Sequence, residues 1–250
     1  MRSKGKMVTI KELRNICVPN PERDQVFGKY FQRPFSIYFT WFFIKFKGIN
    51  AEMVCFLWVL TAFIGGLLYF IGNYWFALLG LLLFHIGMVL DCADGEVARY
   101  KKRCTIRGPY LDLIGHAIVN PTILLGIGVY SYINPILGIP PVIFLVLGSI
   151  SAILMININI ARLKVYEALS DNGICIEEEQ KRMKKIPKIT FKTGLLRPLL
   201  RIGPGCLVYF ATIFNLLPYY IIFMGGLLPT VYIKRVYDEY KRMEKVYDKK

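Results

Sequence analysis

Three long stretches of this 250-residue chain contain no Asp, Glu, Lys or Arg: 53–90, 117–161 and 202–233. A helix needs about 20 apolar residues to cross the hydrocarbon of a bilayer. The first two stretches are therefore each long enough for a helical hairpin. The chain is 55% hydrophobic, yet it carries 32 Lys+Arg against 17 Asp+Glu, a formal charge of +15. Its mean hydropathy is +0.43. Apolarity joined to basicity suits a membrane protein whose cations gather on the cytoplasmic side and meet anionic lipids. Nucleic-acid binding would account for the charge and leave the apolar stretches unexplained, so no nucleic-acid partner is expected.

The pattern predicts an all-α integral membrane protein. Helices are expected near 53–71 and 75–100, with Gly72, Asn73 and Tyr74 as the turn, and near 109–132 and 138–162, with Asn134-Pro135 between them. The third stretch carries Pro218. It reads as a fifth helix starting near Leu195 and a sixth over 219–233, or else as one kinked span. None of the outside turns contains Lys or Arg, whereas the N-terminal arm, 99–107, 162–201 and the tail after Lys234 are basic. That alternation favours six spans with both termini in the cytoplasm.

Residues 27–47 mix aromatics with Lys29, Arg33, Lys45 and Lys47, and read as an amphipathic helix lying in the interface. The expected organisation is a basic arm (1–26), the interfacial helix (27–47), a catalytic membrane domain (48–233) with a cytoplasmic excursion at 163–194, and a basic tail (234–250). The six cysteines form no close Cys-x-x-Cys pair, so no zinc or redox motif is present. The N-terminus does not read as a signal peptide.

The chemistry lies in Asp91-Cys-Ala-Asp94-Gly95-Glu-Val-Ala98-Arg99 and, eight residues later, Gly108-Pro-Tyr-Leu-Asp112-Leu-Ile-Gly-His116. Asp91 and Asp94 are three apart on one helix, and Asp112 and His116 four apart on the next, so each pair shares a face. The link between them is short, which predicts antiparallel neighbours whose faces meet. Asp91 follows Trp75 by sixteen residues, roughly 24 Å of rise, so the carboxylates sit at the cytoplasmic edge of the hydrocarbon. Carboxylates in apolar helices are costly and normally functional. Three together need cations, and hard divalent ions suit their oxygens. Mg2+ or Mn2+ would in turn bind a diphosphate. Gly95, Ala98 and Gly108 are small where a ligand must approach the backbone. Arg99, Lys101, Lys102, Arg103 and Arg107 offer positive charge, although topology alone also demands cations there.

The spacing Asp-x2-Asp-Gly-x2-Ala-Arg-x8-Gly-x3-Asp resembles the signature of the CDP-alcohol phosphotransferase (CDP-alcohol phosphatidyltransferase) family, which continues with x3-Asp; seven of its eight fixed letters match. The resemblance implies a six-helix membrane enzyme preceded by an interfacial helix. It implies transfer of a substituted phosphate from a CDP-linked alcohol to an acceptor hydroxyl, lipid or polar, with release of CMP. Asp91, Asp94 and Asp112 would bind two divalent metals, with Gly95, Ala98, Arg99 and Gly108 around the CDP diphosphate. Anionic membrane lipids and a second copy of the chain, as a homodimer, are further expected partners.

The chain departs from the pattern at its last aspartate, replaced by His116. An imidazole can take the acceptor's proton or ligate a metal; a lone His on an apolar face can also be a packing residue. His85, mid-span without such context, reads as structural. Arg197 and Arg201 are candidates for binding an acceptor phosphate, with snorkelling at the interface as the alternative. Two other readings compete: a non-catalytic paralogue that binds a CDP ligand, and a membrane transporter, which should show polar breaks near the bilayer midplane.

Overall fold

The structure is a computed structural model that describes residues 8–18, 28–102, 107–136, 138–171 and 204–247. Helices account for its regular structure, with no strand among the described residues. In chain order they are α1 (Ile10–Cys17), α2 (Arg33–Phe43, entered through a π-turn at Gly28–Gln32), α3 (Ala51–Leu68, prolonged by a 3-10 turn to Ile71) and α4 (Tyr74–Lys101). There follow α5 (Arg107–Ile133), α6 (Pro141–Asp171), α7 (Pro204–Ile213) and α8 (Leu217–Tyr247).

Four segments are long and apolar enough to cross a membrane: Ala51–Ile71, Tyr74–Lys101, Arg107–Ile133 and Pro141–Ala161. They coincide with the four helices expected from the charge-free stretches, although the fourth begins at Pro141 instead of 138 because Gly138 adopts a positive φ of 87° ahead of it. The expected turn before Pro218 is also present. α7 ends at Ile213, Asn215 takes a left-handed φ of 55°, and α8 restarts at Leu217 with Pro218 in its first turn. The upstream start near Leu195 lies outside the described residues.

Local chemistry explains the element ends. The Asn73 side chain caps α4 by accepting from the Trp75 N–H at 2.9 Å. Gly72 supplies the left-handed φ of 72° that turns the chain from α3 into α4. Thr9 and Glu12 form a reciprocal capping box on α1.

α3 packs against both α4 and α5. α5 packs on α6, α8 lies against α6 and α5, and α7 fills in beside α4 and α8. Small residues set the closest crossings. A Cβ on Gly65 would lie 2.7 Å from the Gly80 carbonyl oxygen, and one on Gly128 would lie 2.9 Å from the Cα of Gly148. Backbones brought this near gain dispersion contacts, which hold helices together where lipid removes the hydrophobic drive. Trp58, Tyr69, Ile127, Tyr130 and Ile221 fill the interior, while Phe56, Leu60, Ile64, Leu79, Val146 and Ile153 face outward. Large apolar side chains turned out along successive helices are what a lipid-facing surface requires.

At the turn end of the bundle the polar groups are neutral and paired. Tyr69 Oη meets Thr212 Oγ1 at 2.9 Å, Tyr74 donates to the Ile213 carbonyl at 2.8 Å, and Tyr130 donates to Asn215 Oδ1 at 2.6 Å. These bonds tie the C-terminal end of α7 to α3, α4 and α5.

The short link predicted α4 and α5 as antiparallel neighbours whose faces meet. They meet near their linked ends through Asp91, Asp112 and His116, while both also pack on α3. Trp58 of α3 is fully buried and meets both helices: its benzene edge lies against Gly115 of α5, and its backbone carbonyl against Gly87 of α4.

Candidate active site

Asp91 and Asp94 project from the last three turns of α4, Asp112 and His116 from the first three of α5. They come from separate helices and meet where α4 and α5 face each other. His116 Nε2 lies 3.5 Å from Asp112 Oδ1 and 3.8 Å from Asp91 Oδ1. One ligand atom from each of Asp91, Asp112 and His116 lies within 4.8 Å of the other two. Two carboxylate oxygens and an imidazole nitrogen at this separation fit a small divalent cation. Among the described residues, His116 is the basic group within 4.0 Å of either carboxylate. Asp112 is nearly half exposed and Asp91 much less so, so the group opens toward one side.

His116 is held from behind. Its ring centroid lies 4.9 Å from that of Trp58, tilted by 43°. The preceding residue, Gly115, permits this: a Cβ there would come within 2.5 Å of Trp58 Cζ2. α5 therefore sits hard against α3 at the level of the histidine.

Asp94 is not part of the three-residue group. One turn beyond Asp91, it lies beside the Cys55 thiol of α3 and the guanidinium of Arg99. A step of three residues leaves it about 60° around the helix from Asp91 and about 4.5 Å further along, still within electrostatic reach of Asp112. Of the small residues, Gly95 lies under Arg99, whose Nη1 would be 3.3 Å from an added Cβ, whereas a Cβ on Gly108 would meet nothing within 4 Å. Ala98 is half-buried one turn beyond Asp94. Lys101 is engaged elsewhere, donating to the carbonyls of Phe46 and Ile49 in the α2–α3 link. Arg103, Arg197 and Arg201 lie outside the described residues. His85 meets Tyr209 Oη through Nδ1 at 3.1 Å and serves the packing of α4 on α7, in line with its structural reading.

A second stripe on α4 was missed in the sequence. Cys92, Glu96 and Arg99 stand at i, i+4 and i+7 and face the N-terminal helices. Glu96 is fully buried and accepts from Arg33 Nη1 at 3.0 Å, Ser36 Oγ at 2.8 Å and Thr40 Oγ1 at 2.7 Å. Arg99 Nε donates to the Cys17 carbonyl at the end of α1 at 2.7 Å. Cys92 Sγ approaches Gln32 Oε1 at 3.8 Å. The signal was available: Arg33, Ser36 and Thr40 recur at i, i+3 and i+7 on an otherwise aromatic helix, and Glu96 is a carboxylate in a membrane span.

Comparison with individual curated proteins gives no match. The family profile described as CDP-alcohol phosphatidyltransferase matches residues 48–224, from the start of α3 into α8. That match covers most of the chain and includes every residue of the carboxylate group, so with the apolar helices around it this is an integral membrane protein that belongs to the CDP-alcohol phosphatidyltransferase family.

Proposed function

We propose that the protein transfers a substituted phosphate group from a CDP-linked alcohol to an acceptor hydroxyl, releasing CMP, in the synthesis of a phospholipid or a related membrane phosphodiester. Family membership supports the reaction class. The observation that carries the reading to this chain is the convergence of Asp91, Asp112 and His116 on one point between two neighbouring helices, with Asp112 nearly half exposed.

In this reading Asp91 and Asp112 hold divalent metal, Mg2+ or Mn2+, with Asp94 completing the set for a second ion once its side chain turns. Bound metal would neutralise the diphosphate and the departing CMP. In the same reading Arg99, over Gly95, together with Ala98 and Gly108, would bound the diphosphate subsite. The acceptor oxygen forms a bond to the β-phosphorus as the bond from that phosphorus to the bridging oxygen of CMP breaks. The acceptor's proton passes to Nε2 of His116, the residue that stands where the family has its last aspartate. A neutral imidazole is competent for this near pH 7. Trp58 behind the ring fixes its plane.

The same geometry favours a second role for His116. Its Nε2 faces both carboxylates at 3.5 and 3.8 Å, which is where a nitrogen ligand would stand. Replacing His116 with Ala separates the roles. A base is lost with binding of Mn2+ and CDP retained, whereas a ligand is lost with weakened Mn2+ binding.

The remaining features follow the charge pattern. Six spans, with α7 and α8 contributing to the fifth and sixth, place the carboxylate end in the cytoplasm, where anionic lipid meets the basic arms. Arg197 and Arg201 remain candidates for an acceptor phosphate. The test is CMP release from purified protein with Mg2+, using CDP-diacylglycerol and CDP-linked polar alcohols against lipid and polar acceptors, with product mass measured. Release in at least one pairing, lost in Asp91→Ala, supports the enzyme. Silence across the panel with intact Mn2+-dependent CDP binding makes the chain a non-catalytic binder.

A further inference from the structure

A buried carboxylate outside the metal-binding group needs a reason to exist. Glu96 has no exposed surface, and burying an ion is costly unless charge and hydrogen bonds compensate it. All three of its donors come from one helix, α2, through Arg33, Ser36 and Thr40. A single contact would suffice to keep α2 near α4. Three donors that converge on both carboxylate oxygens fix the rotation of one helix about the other as well.

Rotation of α4 matters because its last turns carry Asp91 and Asp94. The tight crossing of α4 on α3 reaches Gly87, where an added Cβ would lie 2.7 Å from the Ala62 Cβ. Asp91 and Asp94 lie beyond it, one and two turns further. α5, which carries the other half of the site, meets α4 here through the Asp112 and His116 side chains. α5 is pinned on α3 by Gly115 against Trp58. Past Gly87 one face of α4 stays on α3, with Ala93 and Val97 buried in the same core as Val54 and Cys55, while another is gripped by the N-terminal helices, through Glu96 on α2 and through Arg99 Nε on the Cys17 carbonyl of α1. The Glu96 grip stands on the face away from Asp94. Glu96 is two residues beyond it, about 200° around the helix.

We propose that Glu96 is a positioning residue: by clamping α4 onto Arg33, Ser36 and Thr40 it sets the angle at which Asp91 faces Asp112 and His116. The N-terminal helices are then a brace for the metal-binding group, and the interfacial helix has a task besides lying on the membrane. This inference rests on the proposed metal site.

The experiment uses the full-length protein in lipid nanodiscs. Binding of Mn2+ alone is measured from the electron paramagnetic resonance signal of the free ion, beside hydrogen exchange of peptides from α2 and from the centre of α3. Wild type, Asp91→Ala, Glu96→Ala, Glu96→Gln and the double variant Ser36→Ala/Thr40→Ala are compared. Asp91→Ala should lose the ion. Glu96→Ala should weaken Mn2+ binding at least tenfold and speed exchange in α2 while the centre of α3 stays protected. Glu96→Gln, which keeps an acceptor oxygen for the hydroxyls, should recover part of both. The hydroxyl double variant retains the charge pair, so it provides the test where Glu96→Ala fails to fold; its binding should fall severalfold. Faster α2 exchange with unchanged Mn2+ affinity in the Glu96 and hydroxyl variants would overturn the proposal and leave the metal site standing. Wild-type Mn2+ binding in Asp91→Ala would remove the site, and the proposal with it.

Discussion

Two carboxylates on α4, five residues apart, live under opposite rules. Glu96 is sealed from solvent and answered by a guanidinium and two hydroxyls. Asp91 faces another carboxylate, Asp112, and has an imidazole nitrogen at 3.8 Å as its basic neighbour. In an apolar helix both are costly. The first is compensated within the protein, which makes it a structural fastening. The second is set against another carboxylate and an imidazole, which makes it a candidate site for a cation that arrives from outside. The distinction rests on who supplies the positive charge, and it cannot be seen from the residue type. The turn end of the bundle gives a third condition. There Tyr69, Tyr74 and Tyr130 pair neutral groups at 2.6–2.9 Å and no charge has to be managed.

The comparison breaks first at Asp91. Its replacement by Ala should cost metal affinity more than the roughly 10–100-fold that follows loss of an outer partner, read by calorimetry with Mn2+. Binding at the wild-type level would mean that Asp91 and Glu96 differ only in burial.

Removing the cation from the satisfied carboxylate should be next in size. Arg33→Met strands a buried charge and should destabilise the fold by about 3–5 kcal/mol, measured by chemical unfolding in detergent. Adding Glu96→Gln to it should recover most of that loss, because the charge is then gone. A mild Arg33→Met phenotype would show that water reaches Glu96.

His116→Ala should lower transfer about a hundredfold while Mn2+-dependent CDP binding holds, if the ring serves as the base. Turnover and titration on the same preparation decide between that outcome and a ligand's loss of affinity. Unchanged turnover would reduce the ring to packing against Trp58.

The smallest effect belongs to the neutral end. Tyr69→Phe removes one hydrogen bond. Thr212 Oγ1 keeps its bond to the Val208 carbonyl at 2.8 Å, so no group is orphaned, and the cost should be about 1 kcal/mol. Metal affinity should not move. A shift in Mn2+ binding would mean that the two ends of the bundle are coupled.

Much was determined by the sequence alone. The charge-free stretches place the four spanning helices to within a few residues, because a helix in hydrocarbon cannot carry unpaired charge and must reach across it. The motif spacing identified the family and put Asp91, Asp112 and His116 in one place, since periodicity on two linked helices leaves few ways for those faces to lie. Tertiary structure alone decided the rest. That α5 sits hard against α3 at the level of His116 depends on the fit of Trp58 against Gly115, and shape is not periodic. That Glu96 is a fastening while Asp91 is a site depends on Arg33, Ser36 and Thr40, which lie more than fifty residues away in the chain. A local pattern shows that a carboxylate is present, and only the packed structure shows what it faces.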